Sequence, residues 1–123
     1  MSRSADRTRL LHEALAERIL VFDGPQGTYL QSRDLTAADY GGPEYEGCPE
    51  QLAITRPDVI ADMSRSYLEA GADLIETNTF GAMSIVLAEY GLQDRMREIN
   101  AAAVRIARDA AAEYETPSRP RFV

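Results

Sequence analysis

The chain of 123 residues has a formal net charge of −7 at pH 7, with 20 acidic and 13 basic side chains. Nucleic-acid and anionic-membrane surfaces need clustered lysine and arginine, so this acidic balance argues against both kinds of partner. No apolar run approaches the roughly 20 residues of a membrane span, and the N-terminus has no signal-peptide pattern. With Cys48 as its single cysteine the chain forms no internal disulfide, and we therefore expect a cytoplasmic protein.

The first predicted elements are a helix and a buried strand. Apolar residues at helical spacing from Ser4 to Arg18 predict a short amphipathic helix, so that residues 1–18 form an N-terminal helical region. The run Ile19–Phe22 is continuously apolar and ends at an Asp-Gly pair, which predicts a strand buried on both faces. The segment 31–51 is rich in Gly, Pro and acidic residues and predicts a long loop, of the kind that is usually functional or mobile.

The second half of the chain predicts alternating helices and strands. A helix is expected from Pro57 to Gly71, because Thr55 can cap it and glycine favours its end. A short strand at Leu74–Ile75 follows. Further predictions are a helix over 84–90, an alanine-rich helix over about 94–115 and the start of a strand at 121–123.

This βαβαβ order predicts an α/β fold with a parallel sheet. It fits either a doubly wound sheet or the first part of an eight-fold barrel. A dinucleotide site would require G-x-G-x-x-G after the first strand, and the D-G-P-Q-G-T found there lacks that spacing. A nucleotide site is therefore disfavoured.

Polar residues follow the first predicted strand. Asp23 is costly at the end of an apolar strand unless it is paired, and a ligand ammonium group would pair with it. The alternative is that Asp23 caps the following turn, a common role in Asp-Gly pairs. Gly24 and Gly27 allow a tight turn whose N–H groups could hold a carboxylate, although Pro25 removes one donor. With Thr28, these residues are candidate substrate-binding groups.

A second polar run follows the Leu74–Ile75 strand. Glu76, Thr77, Asn78 and Thr79 need hydrogen-bond partners, which either a ligand or neighbouring loops would supply. Ligands bind at the C-terminal ends of parallel strands, so these four residues are also candidate substrate-binding groups. Phe80 is expected to pack instead.

The remaining reactive side chains predict no further site. His12 is expected on the solvated side of the first helix, and Cys48 lies far from it in the sequence. Zinc needs three or four clustered ligands, and nucleophilic catalysis needs a paired base, so we assign no metal ligand and no catalytic residue. The acidic residues Glu44, Glu46 and Glu50 predict a solvated loop surface.

Four motifs occur in a characteristic order: D-G-P-Q-G-T, T-R-P-D-V-I, A-G-A-D-L-I-E-T-N-T-F-G and L-A-E-Y-G-L. With them the chain resembles the homocysteine S-methyltransferase family over about residues 19–123, and most of all its cobalamin-dependent members. The resemblance implies a (β/α)8 TIM barrel. Residues 1–123 would then be a partial homocysteine-binding domain, the truncated N-terminal βαβαβ portion of that barrel.

The resemblance also implies an activity, the transfer of a methyl group to the homocysteine thiolate to form methionine. Zinc would hold the sulfur, while cobalamin and methyltetrahydrofolate would be bound by other modules of the full enzyme. Asp23, Gly24 and Gly27 would hold the amino-acid end of homocysteine, and the segment 77–79 would line the same pocket. The family's zinc cysteines lie on later strands, and Cys48 matches none of them.

Because those ligands are missing, we expect the fragment alone to be inactive. Its partners would be homocysteine, the remaining barrel and the cobalamin and folate modules. The alternative is a non-catalytic fragment or assembly piece that completes a split barrel with another chain.

Overall fold

Helices provide the regular secondary structure of this computed structural model, which describes residues 3–123. Residues 1 and 2, which belong to the predicted N-terminal helical region, lie outside the described residues. The α-helices are α1 (Arg3–Glu17), α2 (Gln26–Gln31), α3 (Leu52–Thr55), α4 (Pro57–Ala70), α5 (Ser84–Leu87) and α6 (Met96–Tyr114). Short 3-10 helices lie at Pro43–Tyr45, Pro49–Gln51, Ala88–Tyr90 and Gln93–Arg95.

The predicted α/β sheet, and with it the TIM-barrel portion, is wrong for residues 3–123, where no strand forms and the fold is helical. The segments predicted as strands make only isolated parallel bridges, Phe22 to Leu74 and Leu74 to Phe122. Ile19 is 89% exposed and Phe22 is 59% exposed, although this run was predicted to be buried on both faces. A parallel sheet needs a covering layer on each face, and the exposure of Ile19, Val21 and Phe22 shows that the first run lacks such a layer.

The bridged segments nevertheless lie side by side. The N–H groups of Asp73 and Leu74 donate to the carbonyl oxygen of Val21, at 2.8 and 3.2 Å. The N–H of Phe122 donates to the carbonyl oxygen of Asp73 at 2.8 Å. This pairing places the polar residues after the first segment beside those after the second.

Helix α4 ends as its sequence predicts, but Thr55 does not cap its start, because Arg56 occupies the N-cap position and the Thr55 hydroxyl donates to the carbonyl oxygen of Gln51. Pro57 occupies its first turn, and Gly71 ends it in the left-handed conformation with φ of 110°. Its buried face packs against α6, whose buried side chains are mostly alanine and so allow a close approach. The buried residues shared by this layer are Leu68, Ala72, Ile75, Ala107, Ala110 and Ala111.

Two other predictions need adjustment. Helix α2 lies where no helix was predicted, and Leu30 anchors it in a cluster with Leu52 and Val59. The segment 31–51 is largely irregular, as expected, but it contains two 3-10 helices and the buried residues Cys48, Glu50 and Gln51. None of the described helices has the length and apolar character that a membrane crossing requires.

Candidate functional site

Asp23 lies at the end of the first bridged segment, next to the second. Its Oδ2 accepts a hydrogen bond from the Glu76 N–H at 2.9 Å. Its Oδ1 is buried and has no hydrogen-bond partner among the described residues. Burial raises the pKa of this carboxyl group above its usual value, and the nearby Glu76 charge adds to the effect, while the hydrogen bond from Glu76 N–H opposes it. An unpaired buried oxygen of this kind favours a cationic partner.

Gly24 lies against the ring of Tyr67, which projects from α4. A Cβ atom at Gly24 would lie 3.1 Å from Tyr67 Cε1 and 3.2 Å from its hydroxyl oxygen. The Tyr67 hydroxyl donates to the carbonyl oxygen of Pro25 at 2.7 Å. Burial, together with the charge of Asp23, raises the pKa of Tyr67. This close approach explains why position 24 is a glycine, and no sequence pattern predicts that Tyr67 would hold this turn.

Gly27 and Thr28 lie in α2, which begins directly after Pro25. A Cβ at Gly27 would meet no atom within 4 Å, so packing does not require glycine at this position. Thr28 is exposed. Gln26 links the helix to the second polar run, since its Nε2 donates to the carbonyl oxygen of Glu76 at 3.1 Å. Both predicted groups of site residues are therefore neighbours in space.

The second polar run forms a compact loop. Glu76 is exposed, and Thr77 and Thr79 are half-buried with their hydroxyl oxygens 2.6 Å apart. Asn78 is buried, and its Nδ2 donates to the carbonyl oxygen of Pro49 at 2.8 Å. The Asn78 amide therefore finds its partner in a neighbouring loop, which is the alternative to a ligand that the sequence left open. Phe80, which was expected to pack, is 98% exposed.

Glu50 contacts this loop through its side chain. The sequence predicts a solvated surface position for Glu50, and that prediction is wrong. Glu50 is 6% exposed, and its Oε1 accepts the N–H of Gly81 at 2.7 Å. The Cys48 thiol donates to Glu50 Oε2 at 3.7 Å. Burial raises the pKa of Cys48. The only signal in the sequence was its position, because Glu50 lies two residues before the apolar start of α3 at Leu52.

The described residues do not fit a zinc ion. Residues 3–123 contain no group of three or more His, Cys, Asp or Glu side chains able to hold a metal. His12 is exposed on α1, whereas Cys48 is buried beside Glu50. A zinc site needs three or four convergent ligands, so no chemical step of this chain is assigned to a metal here.

Comparison with known proteins connects this geometry to a family. The family model described as homocysteine S-methyltransferase matches residues 20–123. The methionine synthase of Mycobacterium tuberculosis (strain ATCC 25618 / H37Rv) is 46% identical over 113 residues, and that of Mycobacterium leprae (strain TN) is 47% identical over the same length. These alignments cover 92% of this chain, which spans only 9% of each relative.

A solved structure is similar as well. The homocysteine methyltransferase MmuM from Escherichia coli, in its oxidized form, matches with a TM-score of 0.72 and 25% identity. The match covers 90% of this chain and 37% of that one. Its metallated form matches with a TM-score of 0.69 at 23% identity, which supports a shared backbone path.

Proposed function

Because the chain belongs to the homocysteine S-methyltransferase family, we propose that it is the opening segment of an enzyme of methionine synthase type. In this proposal residues 1–123 are part of a homocysteine-binding domain, and the enzyme transfers a methyl group to the homocysteine sulfur to form methionine. The role of this segment is to bind the amino-acid end of homocysteine. The family match over residues 20–123 supports the proposal.

The observation that supports the proposal most directly is the unpaired Oδ1 atom of Asp23. Its Oδ2 is already used by the Glu76 N–H, whereas its buried Oδ1 has no partner among the described residues. An ammonium group would satisfy Oδ1 and would favour the charged carboxylate that burial alone disfavours. Homocysteine carries such a group. Gly24 and, at the start of α2, Gly27 follow Asp23 in the chain, and their backbone would hold the carboxylate end of the substrate.

The neighbouring loop would complete this half of the pocket. Glu76, Thr77 and Thr79 follow the second segment and lie beside Asp23 through the bridge between Phe22 and Leu74. Thr28 would contribute from α2. The Asn78 side chain would act indirectly, because its amide is bonded to Pro49.

Zinc, cobalamin and methyltetrahydrofolate enter this proposal only through other parts of the enzyme. Zinc would supply activation of the homocysteine thiol, and its ligands would lie outside this chain. On that basis the segment alone would not catalyse the reaction. The cytoplasm is the proposed location, since the free thiol of Cys48 suits a reducing compartment.

The proposal is tested by homocysteine binding to the full-length protein that carries this segment, measured by isothermal titration calorimetry for the wild type and Asp23→Asn. The asparagine retains an oxygen for the Glu76 N–H but places an NH2 group where the ammonium would bind. We expect affinity to fall about tenfold or more, the effect of losing one hydrogen bond between charged groups.

Asp34→Asn is the matched control, because Asp34 is exposed and asparagine tolerates its φ of 51° well. This variant should bind homocysteine as the wild type does. A wild type without homocysteine binding would contradict the proposed function. Equal binding by Asp23→Asn would instead indicate that the Asp23 side chain acts only within the chain, as the acceptor for the Glu76 N–H.

A second candidate function is a non-catalytic piece that assembles with another chain. The observation in its favour is the exposure of large apolar side chains that a separate soluble domain would bury, since Ile19 is 89%, Phe80 98% and Ile85 84% exposed. Pull-down of a second polypeptide, together with unchanged homocysteine binding in Asp23→Asn, would support this candidate over the first.

A further inference from the structure

Glu50 is a buried acid to which the proposed binding role assigns no part. It is 6% exposed, and the Gly81 N–H donates to its Oε1 at 2.7 Å. We propose that Glu50 is a positioning residue, which holds the loop from Thr77 to Gly81 in the conformation that homocysteine binding needs. This role rests on the proposed function and deepens it.

The contact between Glu50 and Gly81 depends on the absence of a side chain. A Cβ at Gly81 would lie 2.7 Å from Glu50 Oε1 and 3.2 Å from Val86 Cγ1. The first distance is shorter than any normal contact, so a larger residue would push the carboxylate away. The end of the loop is therefore shaped around the Glu50 carboxylate.

A second hydrogen bond connects the same two segments. Asn78 is 5% exposed, and its Nδ2 donates to the carbonyl oxygen of Pro49 at 2.8 Å. The middle and the end of the loop are thus both bonded to adjacent residues, Pro49 and Glu50. Two polar contacts from one short 3-10 helix define where the loop lies.

Ala82, directly after the loop, is buried in an apolar cluster, whereas the loop itself buries no large apolar side chain. Phe80 is 98% exposed and contributes no packing, and the hydroxyl groups of Thr77 and Thr79 bond to each other. Few buried apolar contacts are the mark of a segment that opens easily. Removing the Glu50 carboxylate would also leave the buried Gly81 N–H without its acceptor, which is costly. The loop would then move away from Asp23.

The test compares Glu50→Gln and Glu50→Leu in the full-length protein. Glutamine keeps an oxygen that can accept from the Gly81 N–H, whereas leucine fills the same space without one. Hydrogen exchange by mass spectrometry reports on the peptide over 77–83, and calorimetry reports homocysteine affinity. For Glu50→Leu we expect faster exchange in that peptide and affinity about tenfold weaker, with both properties restored in Glu50→Gln.

Gln51→Met is the matched control, because Gln51 is a buried neighbour on the same 3-10 helix and makes no bond to this loop. It should leave both readouts unchanged. If Glu50→Leu does not fold, Gly81→Ala disturbs the same contact from the loop side and should give the same two changes. If the wild type binds homocysteine and neither Glu50→Leu nor Gly81→Ala weakens that binding, the positioning role is overturned. A wild type that binds no homocysteine would overturn the proposed function itself.

Discussion

Asp73 joins the first bridged segment to the second through its side chain. It is 1% exposed, and Arg18 donates to both of its oxygens, from Nη1 at 2.9 Å and from Nη2 at 2.8 Å. The Val21 N–H donates to Asp73 Oδ2 at 3.0 Å. Arg119 lies 3.5 Å from Oδ1. These contacts satisfy a buried carboxylate and hold the backbone that presents Asp23.

The Asp73 contacts predict loss of stability in acid. The Arg18 hydrogen bond lowers the pKa of Asp73 from 3.8 to about 2. Because the folded pKa is lowered, the stabilisation is present above pH 4 and is lost as the pH falls toward 2. This shift corresponds to about 2 kcal/mol. Asp73→Asn should therefore be less stable at pH 6 and show a weaker pH dependence between pH 4 and 2, measured by urea unfolding.

An exposed ion pair provides the control for this measurement. Arg65 Nε lies 2.8 Å from a Glu113 oxygen, and both side chains are more than a third exposed. Exposed pairs contribute only about 0–1 kcal/mol, so Glu113→Gln should unfold much as the wild type does at pH 6. Identical pH dependence in Asp73→Asn and the wild type would contradict the assigned role of Asp73.

At the scale of elements, the alanine face of α6 decides how closely the helices pack. Its buried side chains include Ala102, Ala103 and Ala107, and small residues let α6 lie close to α3 and α4. The sequence predicted this helix well, at about 94–115 against Met96–Tyr114, because a long 3.6-residue pattern is a strong local signal.

This packing predicts a difference between two alanines of one helix. Ala103 is 1% exposed, so Ala103→Leu would force extra atoms into a filled interior and should cost about 1–3 kcal/mol of unfolding free energy. Ala101 is exposed, and Ala101→Leu should change it by no more than about 0.5 kcal/mol. Thermal and urea unfolding of both variants measures the difference; equal effects would show that α6 does not pack through this face.

Elements with weak local signals were the ones mispredicted. Helix α2 has only six residues, and it is held by burial of Leu30 against α3 and α4 rather than by a pattern of its own. The apolar run from Ile19 to Phe22 has the composition of a strand, but a strand requires paired neighbours along its length. Here one neighbouring segment pairs with it, at the single bridge between Phe22 and Leu74.

At the scale of the whole molecule, the positions of the side chains that could bind a metal predict how much zinc the chain contains. Within residues 3–123 no three metal-binding side chains converge, and the Cys48 thiol is buried beside Glu50. We expect the purified chain of 123 residues to contain well below one zinc per molecule by elemental analysis. Stoichiometric zinc that disappears in Cys48→Ser would contradict this prediction and would place a ligand within the segment.

Local sequence was sufficient to predict the family and the main helices. Ordered motifs, helical periodicity and helix-ending glycines are encoded within short stretches of chain. The burial of Glu50, the contact of Tyr67 with Gly24 and the open Oδ1 of Asp23 became visible only in the folded chain. Each of these features depends on residues that lie far apart in the sequence. The groups that pack around a carboxylate decide whether it is solvated, paired or without a hydrogen-bond partner.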